Sequence, residues 1–215
     1  ERFATTGANA YIQPLLTRYL TDLETRRNSL GMSCPMLLMQ SGGGLGTLED
    51  ALQFPVRLVE SGPAGGALLS AEIARSFGIE KALSFDMGGT TAKLCIINNG
   101  QPRTSREFEV GREYRFLAGS GLPLRLPVIE MVEIGAGGSS IASLDELGRI
   151  AVGPRSAGSE PGPACYGRGG VEPTVTDADV ALGRILSDGF ATGDLNFSQA
   201  DSVASIENNL LRTEG

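Results

Sequence analysis

Residues 85–97 (FDMGGTTAKLCII) combine side chains and glycines that suit a phosphate group. An apolar run ends in Asp86, and a polar turn separates it from a second apolar run. The turn residues are Gly88, Gly89, Thr90 and Thr91. Adjacent glycines let backbone N–H groups converge on an anion because no Cβ blocks close approach, and Asp86 suits Mg²⁺ because hard cations prefer carboxylate oxygens. The same pattern also fits a plain β-hairpin, so both interpretations stay open.

Three further glycine-rich turns adjoin apolar segments, in QSGGGLGT, ESGPAGGALL and IGAGGSS. Candidate ligand-binding residues in the last two are Ser61, Gly62, Gly65, Gly66, Gly135, Gly137 and Gly138. A helix that begins at SGPAGG presents free N-terminal amides, which bind anions. Close packing of that helix on a strand is the alternative role for its glycines. The recurrence of such turns favours a shared ligand cleft.

Composition excludes several classes of function. The net charge of −7, with no basic run, argues against a nucleic-acid surface. These 215 residues contain no histidine, so they hold neither a Ser-His-Asp triad nor an HExxH zinc site. The 3 cysteines form no CxxC motif, which favours a reducing, cytoplasmic location. No apolar run reaches the length of a membrane span, so no membrane association is predicted.

Hydrophobic periodicity predicts an α/β protein with a mixed sheet. Helices are predicted over 9–28, 48–54, 176–186 and 198–212, and within 61–78 a glycine-rich turn leads into a further helix. Strands are predicted over 35–40, 56–61, 81–87 and 92–99, then a hairpin turn over 98–102, short β-segments after residue 103, a loop and a hairpin over 135–153 and an irregular segment over 154–173. We expect Thr176 and Ser198 to cap the last two helices and Pro14 to lie near the start of the first. The expected buried face of the first helix comprises Ile12, Leu15, Leu16, Tyr19, Leu20 and Leu23.

Six motifs occur in the order typical of one family: MQSGGGL, SGPAGG, FDMGGTT, IGAGGSSIA, VGPRSAGSEPGPACYGRGG and PTVTDADVALGRI. On these motifs the chain is identified as a member of the hydantoinase A/5-oxoprolinase family, which includes N-methylhydantoinase and ATP-using acetone and acetophenone carboxylase subunits. The resemblance implies a ribonuclease-H-like fold, as in actin, sugar-kinase and Hsp70-type ATPases. It also implies that FDMGGTT is the second phosphate-binding hairpin of a split nucleotide site.

The family resemblance further implies that residues 1–215 are a partial hydantoinase A domain, lacking the N-terminal and C-terminal parts of a longer chain. Within it we expect an α/β portion (1–102), a β-rich and Gly/Pro-rich portion (103–175) and a helical portion (176–215). The chain begins at Glu1 rather than Met, which agrees with this expectation.

By the same resemblance, the longer protein uses ATP and Mg²⁺ to open a cyclic amide such as a hydantoin or 5-oxoproline. Asp86 would bind the metal and act in catalysis, and Glu130 would manage a proton. A hydantoinase B-type subunit or domain is the implied partner. The alternatives are an ATP-dependent carboxylase subunit and, for these residues alone, a scaffold module without turnover.

The sequence departs from the family pattern at two places. Lys93 replaces an Asp that many members carry after the GGT motif, and it either points to solvent or lies near the phosphates. Val132 replaces a His that many members carry before the GAGG turn. Glu130 and Glu133 are a possible carboxylate pair there, although strand residues three apart face opposite sides.

The irregular segment contains a possible nucleophile, Cys165, but no His is present to activate it, so a buried structural Cys is favoured. Arg155, Arg168 and Tyr166 are either substrate-binding groups or surface residues. Cys34 and Cys95 lie in apolar strand-like runs, and we expect both in the core.

Overall fold

The computed structural model describes residues 2–111, 119–186 and 197–211. The α-helices of this part are α1 (Arg2–Ser29), α2 (Leu48–Gln53), α3 (Ser61–Ser76), α4 (Val175–Ala181) and α5 (Gln199–Ile206). The strands are β1 (Leu37–Met39), β2 (Leu45–Thr47), β3 (Lys81–Met87), β4 (Ala92–Asn98), β5 (Gln101–Pro102), β6 (Thr104–Ser105), β7 (Phe108–Val110), β8 (Leu122–Leu124), β9 (Val128–Ile129), β10 (Val132–Ile134), β11 (Ser140–Leu144) and β12 (Ile150–Ser156). Short 3₁₀ turns occur at Pro55–Leu58 and Ala164–Tyr166, and α5 continues into a π-helical stretch at Glu207–Leu211.

The chain divides into two compact units, each made of two segments. Unit 1 comprises Glu1–Asp86 and Leu94–Val132, and unit 2 comprises Met87–Lys93 and Glu133–Gly215. The largest sheet has the strand order β10-β4-β3, with β5 also pairing with β4, and the remaining strands form antiparallel pairs. The predicted mixture of α and β structure is therefore confirmed.

Helix α1 of unit 1 is longer than the sequence predicts, so Pro14 lies inside it rather than near its start. The predicted apolar face is partly wrong, because Leu15 and Tyr19 are 69% and 60% exposed while Leu20 is buried. Ile12 packs against the buried cluster around Val56 instead. Only a narrow stripe of the helix surface is thus buried, and some of its apolar residues lie outside that stripe.

The predicted strand over 56–61 is wrong. Pro55 has no N–H to donate to a ladder, and the Val56 N–H donates to the Asn9 side chain at 3.2 Å. The Arg57 carbonyl accepts from both the N–H and the hydroxyl of Ser41, at 2.7 and 2.5 Å. Because these groups are occupied by side-chain and turn partners, the segment closes into a 3₁₀ turn rather than pairing as a strand.

Helix α3 follows directly, with Glu60 as its N-cap in the left-handed region at φ 65°. The helix begins at Ser61, so the SGPAGG residues form its first turns and not a separate loop, which corrects the sequence interpretation. Ala64 and Ala67 pack with Cys95 in a buried cluster. Small residues on this face allow the helix to lie close to the sheet.

Strands β3 and β4 confirm the predicted strand–turn–strand around the GGTT motif. The predicted hairpin turn after β4 is also present, since Asn98 pairs with Gln101 across Asn99 and Gly100. Both turn residues have positive φ, 51° and 68°, as an Asn-Gly hairpin requires. No helix in the described ranges is long and apolar enough to cross a membrane.

In unit 2, strands β11 and β12 form the predicted hairpin, and α4 follows the irregular segment. The N-cap of α4 is Thr174 rather than Thr176, and the helix ends at Ala181 rather than near 186. A capping box between Thr174 and Asp177 explains the earlier start. Ser198 caps α5 as predicted.

Candidate functional site

The turn between β3 and β4, residues 88–91, is an exposed glycine-rich segment of unit 2. The Gly88 N–H donates to the Thr91 carbonyl at 2.9 Å and closes the turn. Gly88, Gly89 and Thr90 are exposed, and Thr91 is half-buried. Among the described residues, no acceptor is found for the N–H groups of Gly89 and Thr90. The turn therefore presents backbone donors and hydroxyls that suit an anion.

The 88–91 turn lies against residues 137–139, which follow β10 in the GAGG motif. The Gly138 N–H donates to the Gly88 carbonyl at 2.9 Å, and the Ser139 N–H donates to the Gly89 carbonyl at 2.7 Å. The carbonyl groups of the turn thus accept hydrogen bonds from the 137–139 segment. Two of the four glycine-rich turns singled out in the sequence come together in this way.

Gly137 is the closest point of this contact. A Cβ at Gly137 would lie 2.6 Å from the carbonyl carbon of Thr90 and 2.7 Å from the Gly88 oxygen. Both atoms belong to the backbone and cannot rotate away. The position requires a glycine because the turn backbone occupies the space of a side chain. Gly137 and Gly138 therefore have a packing role that the ligand-binding interpretation did not assign.

Thr176 supports the same segment from the first turn of α4. Its N–H and its hydroxyl both donate to the Gly138 carbonyl, each at 2.9 Å. A Cβ at Gly138 would lie 2.8 Å from the Thr176 hydroxyl oxygen. The sequence interpretation missed this role because it treated Thr176 as the helix cap.

Asp177, the neighbour of Thr176, is completely buried and accepts several hydrogen bonds. The backbone donors are the N–H groups of Ala164 (3.2 Å), Cys165 (2.8 Å) and Thr174 (2.9 Å). The hydroxyl donors are Thr174 (2.8 Å) and Ser202 (3.3 Å). This carboxylate joins the 3₁₀ turn, the start of α4 and helix α5. The T-x-x-D spacing of a capping box is the sequence signal that could have revealed it.

Cys165 is buried in the cluster with Val180 and Phe197. Burial, with the negative charge of Asp177, raises the pKa of the Cys165 thiol to about 12. A thiol that stays protonated at neutral pH is a poor nucleophile, so the structural interpretation of Cys165 is favoured. Burial likewise raises the pKa of Tyr166, whose ring lies 5.5 Å from that of Phe197.

The other cysteines and the basic residues of the irregular segment differ in burial and in contacts. Cys95 is buried, as predicted, and burial raises the pKa of its thiol, whereas Cys34 is exposed and that prediction is wrong. Arg155 forms an ion pair with Glu172. Arg168 is exposed.

Of the remaining predicted site residues, Gly135 directly follows β10 in unit 2, and the others lie in unit 1. Ser61, Gly62, Gly65 and Gly66 are all helical residues of α3. Asp86 is the penultimate residue of β3, and it is exposed. Glu130 forms an ion pair with Arg103 at 3.3 Å. Val132, at the position of the family His, is 60% exposed.

Within the described ranges, no group of three or more His, Cys, Asp or Glu side chains is arranged to hold a metal. A single exposed carboxylate such as Asp86 nevertheless fits Mg²⁺, because this ion keeps several waters and is bound through one or two carboxylates together with phosphate oxygens. The exposed donors of the 88–91 turn fit the phosphates themselves. Each of these features, taken by itself, therefore agrees with Mg·ATP better than with a metal cage formed by protein alone.

The hydantoinase/oxoprolinase family model matches residues 2–208. The chain belongs to this family. It is 36% identical over its whole length to the caprolactamase subunit alpha of Pseudomonas jessenii, of which it covers 30%. It is 31% identical over its whole length to the acetophenone carboxylase gamma subunit of Aromatoleum aromaticum, of which it covers 28%.

The fold has a close counterpart among solved structures. The crystal structure of the ATP-dependent caprolactamase from Pseudomonas jessenii matches 96% of the chain and 28% of its own length, with a TM-score of 0.67 and 36% identity. The α/β fold expected from the sequence is thus also found in an enzyme whose name says that it is ATP-dependent. The chain thus spans less than a third of the length of these relatives.

Proposed function

We propose that this chain is part of an ATP-dependent enzyme that opens a cyclic amide, and that the 88–91 turn is one phosphate-binding half of its nucleotide site. The observation that carries the proposal is the turn itself, whose exposed N–H groups point away from the carbonyls bonded to Gly138 and Ser139. The relatives add support, because the name of one states that it is an ATP-dependent caprolactamase. We also propose that the other half of the nucleotide site lies elsewhere in a longer protein. In that protein this chain would supply three portions, residues 1–102, 103–175 and 176–215.

The chemistry follows from the groups that the turn presents. The N–H groups of Gly89 and Thr90 and the Thr90 hydroxyl would bind phosphate oxygens of ATP. Catalysis of phosphoryl transfer rests on such positioned donors, which stabilise the charge on the transferred group. Asp86 would hold Mg²⁺, which offsets the negative charge of the phosphates. Transfer of the terminal phosphoryl group of ATP to the amide oxygen would release ADP and leave the ring carbon open to attack by water. Loss of phosphate and cleavage of the ring carbon–nitrogen bond would then give a carboxylate and a protonated nitrogen.

Glu130 is the proposed proton acceptor for that water, or the proton donor to the released amine. Its carboxylate is paired with Arg103 at 3.3 Å, and both side chains are partly exposed. An exposed ion pair of this kind is weak, so it can open when a substrate approaches. We also propose a hydantoinase B-type partner, since the caprolactamase relative is named as one subunit of an enzyme.

A second candidate function is an ATP-dependent carboxylase subunit, favoured by the 31% identity with an acetophenone carboxylase subunit. Both enzymes would use the 88–91 turn in the same way. They differ in what receives the phosphate, which is an amide oxygen in one and a ketone or bicarbonate in the other. A third possibility is that these 215 residues, taken alone, bind partners without turning over ATP.

The test is ADP release from Mg·ATP by the full-length protein with its partner subunit. Stimulation by caprolactam, a hydantoin or 5-oxoproline, without bicarbonate, supports amide opening. Stimulation only when acetone or acetophenone is supplied with bicarbonate supports the carboxylase. Calorimetric titration with Mg·ATP is the control for the site, since binding by neither the full-length protein nor the 215-residue chain would refute the nucleotide site.

A further inference from the structure

We propose that Thr176 is a positioning residue for the 88–91 turn, acting through Gly138. This inference rests on the proposed function for its catalytic consequence, because the turn is there the phosphate-binding element. Thr176 lies in helix α4, far along the chain from the turn. Its effect would therefore come from contacts in the folded unit and not from the local sequence.

The first step is the attachment of the turn. Its carbonyls at Gly88 and Gly89 accept hydrogen bonds from Gly138 and Ser139, at 2.9 and 2.7 Å. The exposed N–H groups of the same peptides can hold their directions only while these carbonyls are held. Backbone N–H groups contribute to catalysis through preorganised directions, so the position of residues 138 and 139 matters to the turn.

The second step is the support of Gly138 itself. The Gly138 N–H donates to the turn, and the Gly138 carbonyl accepts from both the N–H and the hydroxyl of Thr176. This carbonyl shares its peptide group with the Ser139 N–H, which also donates to the turn. The N–H of Thr176 is available because donors in the first turn of a helix have no partner within the helix. The hydroxyl adds a second bond to the same carbonyl. Gly138 is thus held on one side by α4 and holds the turn on the other.

The third step is the anchoring of α4. Asp177 receives donors from the 3₁₀ turn at Ala164 and Cys165, from the helix cap Thr174 and from Ser202 of α5. A buried carboxylate that is bonded on several sides fixes the start of this helix in place. Thr176, the residue before Asp177, is therefore held in place, and its two hydrogen bonds hold Gly138 in turn.

The experiment compares Thr176→Val, Thr176→Ser and a control, Ser205→Ala, in the full-length protein. Valine keeps the shape of threonine and removes the hydroxyl, whereas serine keeps the hydroxyl. Ser205→Ala removes another buried hydroxyl of unit 2, which donates to the Ser202 carbonyl within α5 and contacts neither Asp177 nor Gly138. The first readout is amide hydrogen exchange of a peptide that contains Gly138 and Ser139, and the second is kcat and KM for ATP.

For Thr176→Val we expect roughly tenfold faster exchange at Gly138 and Ser139, because the bonds that protect them loosen. We expect kcat to fall about tenfold while KM for ATP stays within about twofold, since misplaced donors affect the transition state most. Thr176→Ser should restore both values, and Ser205→Ala should change neither.

Several results would overturn the inference. It is wrong if valine leaves exchange at residues 138 and 139 unchanged, or if exchange rises while kcat stays at the wild-type value. An equal fall of kcat in Ser205→Ala would also overturn it, because the effect would then follow stability alone. If the wild-type protein shows no amide-dependent ATP turnover but valine speeds exchange, the positioning stands and the proposed function fails.

Discussion

Replacing Gly137 by alanine tests whether the 88–91 turn depends on close backbone packing. The added Cβ would lie 2.6 Å from the Thr90 carbonyl carbon, whereas ordinary contacts begin at 3.4 Å. The turn must therefore move by about 0.8 Å, and overpacking of this kind costs about 1–3 kcal/mol. Such a shift would stretch the bonds of 2.9 and 2.7 Å that hold the turn to Gly138 and Ser139.

The assay is urea unfolding followed by circular dichroism, together with ATP turnover by the full-length protein. The matched control is Gly7→Ala in helix α1, where a Cβ meets nothing within 4 Å. There alanine should stabilise the protein by about 0.5–1 kcal/mol, because it has the higher helix propensity. If Gly137→Ala leaves both the free energy of unfolding and kcat unchanged, the turn does not pack as the structure shows and the reasoning fails.

Four further predictions concern buried and exposed acids and thiols. Asp177→Asn should lower the free energy of unfolding by roughly 3 kcal/mol, because the amide turns an N–H₂ group toward buried donors. The partly exposed Asp179→Asn should cost less than about 1 kcal/mol in the same urea experiment. Since the pKa of Cys165 is raised from 9.0 to about 12, its contribution to stability should be lost as pH rises from about 9 to 12, and Cys165→Ala should flatten that decline in pH-dependent unfolding. At pH 8, iodoacetamide should modify Cys34 and leave Cys165 unmodified, and modification of native Cys165 would contradict its burial. Asp86→Ala should lower kcat of the full-length enzyme about a hundredfold without changing its unfolding, and an unchanged rate would remove Asp86 from the mechanism.

The sequence predicts the structure correctly where a few neighbouring residues decide the backbone conformation. The strands on either side of the GGTT turn follow from apolar runs interrupted by glycines, and the Asn99-Gly100 turn follows from two residues that tolerate positive φ. The preference for serine at a helix N-cap predicts the Ser198 cap, and the structure shows its side chain accepting from the Asp201 N–H. The motifs also identified the family, whose model matches residues 2–208.

Tertiary contacts decided the features that sequence reasoning missed. Residues 55–58 became a 3₁₀ turn because Asn9 and Ser41, distant in the chain, bond the groups that a strand would use. Cys34 and Cys165 both lie beside apolar or small residues, yet one is exposed and the other buried. Which apolar segment is covered depends on the elements that pack on it, and no local pattern contains that information.

The candidate site shows the same division. The sequence by itself determined that residues 88–91 form a glycine-rich turn between two strands, since this depends on local backbone preferences. Only the tertiary structure decided that the turn lies on residues 137–139 and that Thr176 holds this segment, because hydrogen-bond partners distant in the chain are selected by the packing of whole elements. Gly137 is glycine for that reason, as the backbone of another segment fills the space of its side chain.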